Sequence, residues 1–176
     1  MAEFLGIKTS SAHVLCSRYA QKGLFIRLKR NVYILAERWR NLGRDDFISL
    51  ANFLQVPSYI SFLSALVYYE VTTQVPRMVW ESASLKRTKR LSVDGVEFRY
   101  YKIAKHLYLG FRNEDGFFIA EREKAFLDSL YLFSVGRYSL DIPALDLGKL
   151  EREGIERWIR YYPERTKSLV SEIWAT

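Results

Sequence analysis

The sequence predicts an α+β chain. Three observations carry that expectation: helical apolar spacing towards both ends, a run of alternating β-branched, aromatic and polar residues from Met78 to Ala120, and a strong hairpin signal, Asp94-Gly95, inside that run. With 176 residues, 49% hydrophobic and 27% charged, the chain has enough apolar content to bury a core, which excludes a disordered tail or a disulfide miniprotein. No uncharged run approaches the roughly 18 residues that span a bilayer. The opening MAEFLGIKTSS lacks the basic start and long apolar stretch of a signal peptide, so a cytoplasmic protein is expected. Cys16 alone cannot form an intrachain disulfide, and His13 and His106 give no zinc-ligand spacing. There is no Gly-rich phosphate loop either, so neither a metal nor a cofactor is expected.

Residues 2 to 6 read as a short helical fragment. Gly6 with Thr9, Ser10 and Ser11 reads as a turn and helix cap. The next helix spans about residues 10 to 22, with Ala12, Leu15, Cys16 and Tyr19 on one apolar face and Ser10, His13, Val14 and Ser17 opposite. Gly23 stops it. LFIRL and VYIL then pair as a hairpin with Lys29, Arg30 and Asn31 at the tip. The polar stretch 37 to 46 reads as a linker between a unit over 1–40 and a second over 44–176. Asp45 or Asp46 caps a helix to about Leu54, Pro57 stops it, and Ser58 or Ser61 opens another, FLSALVYYEV, closed by Pro76. Four or five antiparallel strands follow. Residues 121 to 135 return to helical spacing, and further helices are expected at about 145 to 162 and 165 to 175.

The net charge of +7 is unevenly spread: +6 over residues 1 to 40, −2 over 41 to 76, +6 over 77 to 112 and −3 over the remainder. A basic segment coincides with the helix and hairpin. A short helix, a turn, a second helix ending in Gly and a hairpin with a cationic tip are the later parts of a winged helix-turn-helix, the first helix of which is missing here. A recognition helix needs a small polar face to enter the major groove, and Ser10, Ser11, His13 and Ser17 supply one, with Arg18 able to reach a phosphate or a guanine edge. Lys22, Arg27, Lys29 and Arg30, with Asn31 at the tip, complete the expected DNA-binding set. Roughly four phosphate contacts give a log–log salt slope near −3.6. The plainer reading is a small packed unit with a solvated cationic exterior. The second basic segment, Arg77, Lys86, Arg87, Lys89, Arg90 and Arg99, reads as an extension of the DNA footprint, as a separate nucleic-acid surface, or as a sheet edge protected by charge.

PSYISFLSALVYYEVTTQVP at 57 to 76, KRTKR at 86 to 90, FRYYKI at 98 to 103, LYLGF at 107 to 111 and IAEREKAFLDSLYL at 119 to 132 together resemble the AbiEi family of antitoxins and predicted transcriptional regulators. LKRNVYIL looks like the wing of the same family. The resemblance covers about residues 9 to 135 and is weak after Arg137. It implies a DNA-binding winged helix joined to an antitoxin domain, repression of the protein's own operon through inverted repeats in promoter DNA, and a nucleotidyltransferase-like toxin encoded alongside. It also implies a type IV arrangement, in which the toxin is opposed without a stable complex.

Within those motifs, Ser61 and Ser64 read as caps or helix-to-backbone bonds and Ala65 as a close-packing position. Tyr68 and Tyr69 read as core rings with a polar tip rather than base-stacking platforms. Lys124 and Asp128, four apart, allow an ion pair on an exposed helix surface, while Glu121 and Glu123 favour that helix's N-terminus. A metal-dependent nuclease is a further, less favoured alternative, because such an enzyme generally presents its acids and lysine from adjacent strands and here Glu121, Glu123 and Lys124 share one helix turn. No spaced nucleophile and base emerges, so the chain is not expected to be an enzyme. The nearer alternative is an antitoxin acting by direct contact with its toxin, with weak or lost DNA binding.

Overall fold

In the computed structural model, which describes residues 2–175, the chain opens on α1 (Ala2–Leu5) and turns into α2 (Thr9–Gln21). Met1 and Thr176, the outer ends of the two expected units, lie outside the described residues. The cap expected from Thr9, Ser10 or Ser11 does not form. Lys8 holds the cap position without a side-chain bond, and the three hydroxyl residues lie inside the first turn. The apolar face is as expected, with Ala12 and Cys16 buried and Leu15 and Tyr19 half-buried. The hairpin follows as β1 (Phe25–Lys29) and β2 (Val32–Leu35), paired antiparallel through a turn in which Asn31 takes a φ of +62°.

The stretch read as a linker is partly helical. α3 (Ala36–Arg40) buries Trp39, whose ring meets Phe47 edge-on at 5.3 Å. Trp39 and Leu28 thereby belong to the same contiguous apolar cluster as the rest of the core. α4 (Arg44–Leu54) begins at Gly43 rather than at Asp45 or Asp46: the Gly43 N–H donates to Asp46 Oδ2 at 2.9 Å, so the acid closes the turn from inside the helix. Of the two serines expected to open the next helix, Ser61 holds the cap position of α5 (Phe62–Tyr68) without a side-chain capping bond. Ser58 instead starts a strand, β3 (Ser58–Ile60), paired on both sides.

β4 (Val79–Ser84), β5 (Lys89–Val93), β6 (Val96–Lys102), β7 (Phe111–Glu114) and β8 (Phe117–Ala120) complete a six-stranded sheet of order β5-β6-β4-β3-β8-β7. The sheet is mixed, not antiparallel as expected. After β4 the chain crosses to the outer edge as β5 and returns through the Asp94-Gly95 turn, so β6 slots in parallel to β4; β3 and β8 are likewise parallel. Parallel pairs are characteristically covered on both faces, and this one is. Tyr100 donates to the Ala51 carbonyl of α4 at 2.7 Å, while its neighbour Tyr101 packs edge-on against Phe62 of α5. α4 therefore covers one face, and α5 with α6 (Arg122–Ser134) the other.

α7 (Arg152–Ile159) and α8 (Glu164–Ala175) pack on α6. The helix expected from residue 145 starts only at Arg152. The preceding residues form two 3-10 turns, held because Asp146 N–H donates to the Val71 carbonyl and Thr72 bridges to Leu145. Among the described residues no helix is long and apolar enough to cross a membrane.

Candidate nucleic-acid interface

Ser10, Ser11, His13, Ser17 and Arg18 are all exposed on α2, opposite the face that carries Ala12 and Cys16. Lys22, Arg27, Arg30 and Asn31 are exposed on the helix end and hairpin. Lys29 ends β1 beside the turn, as expected, but its side chain does not project from the tip. Its Nζ donates to the Phe53 carbonyl at 3.1 Å and stands 4.4 Å above the Phe53 ring, so its charge is drawn back against α4.

The second basic segment divides by the two-residue period of a strand. In the β5–β6 register Lys89 faces Tyr100 and Arg90 faces Arg99, which puts the two pairs on opposite faces. On the α5 side, Arg99 donates to Glu97 at 2.7 Å and stands 3.7 Å from buried Glu81, while Arg90 lies 3.8 Å from Glu97. That hydrogen bond from Arg99 holds the Glu97 carboxyl below its ordinary range. These two cations are already balanced within the protein. Arg77 lies apart from both pairs, lining an apolar groove of about 460 Å³ with Phe47, Met78 and Trp80.

Lys86, Arg87 and Lys89 are differently placed. β1 packs against β5, which brings Lys29 of the hairpin to these three. Lys89 Nζ lies 5.3 Å over the Tyr100 ring. Burial, followed by the fields of Arg87, Lys29 and Lys86, pushes its ammonium below the ordinary value of 10.5. Four like charges thus gather where the hairpin meets the sheet edge. The expected six-residue surface reduces to three residues, joined by a fourth from the other basic segment.

The EREKAFLD helix overturns the surface reading of its ion pair. Lys124 and Asp128 are both fully buried, with Lys124 Nζ 2.5 Å from Asp128 Oδ1. Asp128 also accepts from Tyr162 OH at 2.7 Å, Ser61 Oγ at 2.8 Å and Tyr59 OH at 3.0 Å; Lys124 donates again to Tyr59 at 2.9 Å. Burial pushes the Lys124 ammonium down and both tyrosines up, with Asp128 opposing the first shift and adding to the second. Every acceptor direction of the carboxylate is occupied, and no solvent reaches it. The constellation is a clamp joining β3, α6 and the α7–α8 turn. Its signal was the helix itself: apolar Ala125, Phe126, Leu127, Leu130 and Leu132 surround the axis, leaving the polar residues no exposed face.

A second clamp, centred on Glu81, is not foreseen in the sequence except for Ser64, read there as a helix-to-backbone bond. Glu81 Oε2 accepts from Tyr138 OH at 2.6 Å and Oε1 from Tyr101 OH at 3.2 Å, while Ser64 Oγ accepts from Glu81 N–H at 2.8 Å. Burial raises the Glu81 carboxyl despite these donors and Arg99. Glu121 and Glu123 lie at the start of α6 as expected, but each is occupied: Glu121 accepts from Trp158 Nε1 and Glu123 from Arg122 and Glu151 N–H. Tyr69 behaves as a ring with a polar tip, donating to the Ala120 carbonyl at 2.9 Å. Among the described residues no group of three or more His, Cys, Asp or Glu side chains is placed to hold a metal ion. No family model and no curated protein matches the chain.

Proposed function

We propose that the chain is a cytoplasmic, DNA-binding transcriptional regulator of the AbiEi kind, repressing its own operon and serving as the antitoxin of a type IV system against a nucleotidyltransferase-like toxin. The order of α2, β1 and β2 suits a winged helix-turn-helix, with α2 as the reading helix and the hairpin as the wing. One observation carries the DNA-binding half: the polar face of α2 is exposed in full, beside a hairpin whose first strand meets the sheet edge and brings Lys29 to its cations. The antitoxin half rests on the sequence resemblance. Catalysis has no part in this reading, since Lys124 and Asp128 are sealed from any substrate.

Retention of the protein's own promoter fragment, measured across a salt series, tests the proposal. Arg18, Lys22, Arg27 and Arg30 supply roughly four phosphate contacts and a slope near −3.6; a contribution from Lys86 and Arg87 steepens it by about 1.8. His13→Ala and Ser17→Ala should relax preference at individual base pairs while leaving that slope unchanged. A salt-insensitive association, or none with any duplex, overturns the reading.

One observation favours a second reading, in which the toxin is contacted directly. The groove beside Trp80 is apolar, and Val75 and Met78 stand exposed at it. A stable complex with the neighbouring gene product on size exclusion, lost in Met78→Asp, would select this reading over the type IV arrangement.

A further inference from the structure

A pocket of about 330 Å³ opens where the end of α4 meets the β7–β8 hairpin and the start of β3, within the ~300–1,000 Å³ range of small-ligand sites. Its walls are rings. Phe111 is stacked on buried Tyr59 at 4.6 Å, and Tyr108 and Phe118 meet Phe111 edge-on at 4.9 and 6.0 Å. Tyr59 is itself pinned by Asp128 and Lys124, so this floor is fixed before any ligand arrives. Phe53 and Phe118, by contrast, are 52% and 44% exposed.

Two further features restrict what such rings receive. Asn52 lines the pocket with its amide locked, Oδ1 accepting from the Phe118 N–H, and its Nδ2 is a buried donor with no partner. Cations stand beside the pocket. Lys29 lies against the Phe53 ring, with Lys86, Arg87 and Lys89 near it, and Lys105 is exposed in the turn before Tyr108. Aromatic walls beside a group of cations match a flat heteroaromatic ring carried on a polyanion. An apolar peptide uses only the first of these features.

We propose that this pocket takes an unpaired base of a nucleic-acid strand whose phosphates lie on Lys29, Lys86 and Arg87. A paired base in a duplex is stacked and cannot enter, so the ligand is single-stranded DNA or RNA. The inference goes beyond promoter reading, which uses the polar face of α2, and does not depend on it.

The test is fluorescence anisotropy with short labelled single strands, one series DNA and one RNA, against strands of equal length made wholly of abasic residues. In at least one series the wild-type chain should bind the base-bearing strand roughly 5- to 150-fold tighter than its abasic counterpart, as expected for one stacked base. Phe118→Ala should remove most of that ratio without changing abasic affinity, and Phe53→Ala, whose ring also holds Lys29, should remove most of the ratio whatever it does to abasic affinity. Both rings are half-exposed, and a melting temperature within a few degrees of wild type certifies each fold. Equal affinity for base-bearing and abasic strands, or a ratio unmoved in both variants, overturns the inference. Promoter duplex in a parallel arm separates the two readings: base discrimination without duplex binding upholds the pocket and removes the repressor, and duplex binding without base discrimination does the reverse.

Discussion

Asp128→Ala distinguishes the buried clamp from the surface pair that helical spacing alone suggests. The substitution leaves the Lys124 ammonium enclosed without a counter-charge and deprives Tyr59, Ser61 and Tyr162 of an acceptor. Removing one partner of a buried pair costs about 3–5 kcal/mol, against 0–1 for an exposed pair. Total stability of a domain is about 5–15 kcal/mol, so the variant should keep its fold with a melting temperature lowered by roughly 6–20 °C. Urea unfolding followed by tryptophan fluorescence measures the same loss as a shift in midpoint at constant slope. Lys124→Met combined with Asp128→Leu removes both charges together, and it should be more stable than the sum of the two single losses by at least about 1 kcal/mol. A loss for Asp128→Ala within about 0.5 kcal/mol of wild type, or strictly additive single losses, would refute the clamp.

Gly110→Ala should destabilise markedly: its φ of +68° disfavours an L side chain, and the added Cβ would stand 3.0 Å from Lys124 Cγ and 3.2 Å from the Trp158 ring. Thermal melts should show a smaller loss for Gly95→Ala, where φ is also positive but the space is open. Burial holds Tyr69 and Tyr101 up to about 12 and raises Tyr59, Tyr100, Tyr138 and Tyr162 too. The folded state then keeps protons that the unfolded chain releases near 10.0, so stability is fully present below that pH and falls as pH rises through the folded values. Absorbance at the phenolate band should show part of the tyrosines ionising only with alkaline unfolding, and full ionisation of the native protein near pH 10 would contradict this. Glu81 gives the same sign at acid pH: its raised carboxyl favours the fold at and below 4.5, and that contribution fades as pH rises through the folded value. Melting temperatures of wild type relative to Glu81→Gln should therefore fall from pH 4.5 towards neutrality, and a flat difference would contradict the assignment.

The elements legible in the sequence are those built by local rules. α2 follows from the spacing of Ala12, Leu15, Cys16 and Tyr19, the hairpin from the alternation of FIRLK and VYIL, and the β5–β6 turn from Asp94-Gly95. Non-local pairing escaped. β3 is three residues long and exists because β4 and β8 flank it, and no local pattern announces that β6 lies parallel to β4. At the interface the exposed face of α2 was readable from helical period alone. The basic strand segment was overcounted, because cations adjacent in sequence were grouped without the pleat that sends Lys89 one way and Arg90 and Arg99 the other. Lys124 and Asp128 were misread for a related reason. Spacing of four defines neighbours on a helix, but whether that face meets water depends on Tyr59 and Tyr162, which lie 65 residues before and 34 residues beyond their partners.

The two kinds of charge in this protein follow from one electrostatic distinction. Where the fold supplies a counter-charge, as for Lys124 with Asp128 or Arg99 with Glu97, the interaction is spent inside the molecule and fixes its shape. Where it supplies none, the cost of crowding remains until another molecule relieves it. Lys29, Lys86, Arg87 and Lys89 are of the second kind: burial first, and then the fields of Arg87, Lys29 and Lys86, push the Lys89 ammonium down, with no carboxylate among the causes to oppose them. A phosphate placed among them lowers the energy of all four, whereas one placed at Arg99 must first compete with Glu97. The sheet edge should therefore attract polyanions through three of its basic residues and not six. If the proposed nucleic-acid binding holds, substituting Lys86 and Arg87 should weaken it in every salt titration, and substituting Arg90 should leave it nearly unchanged.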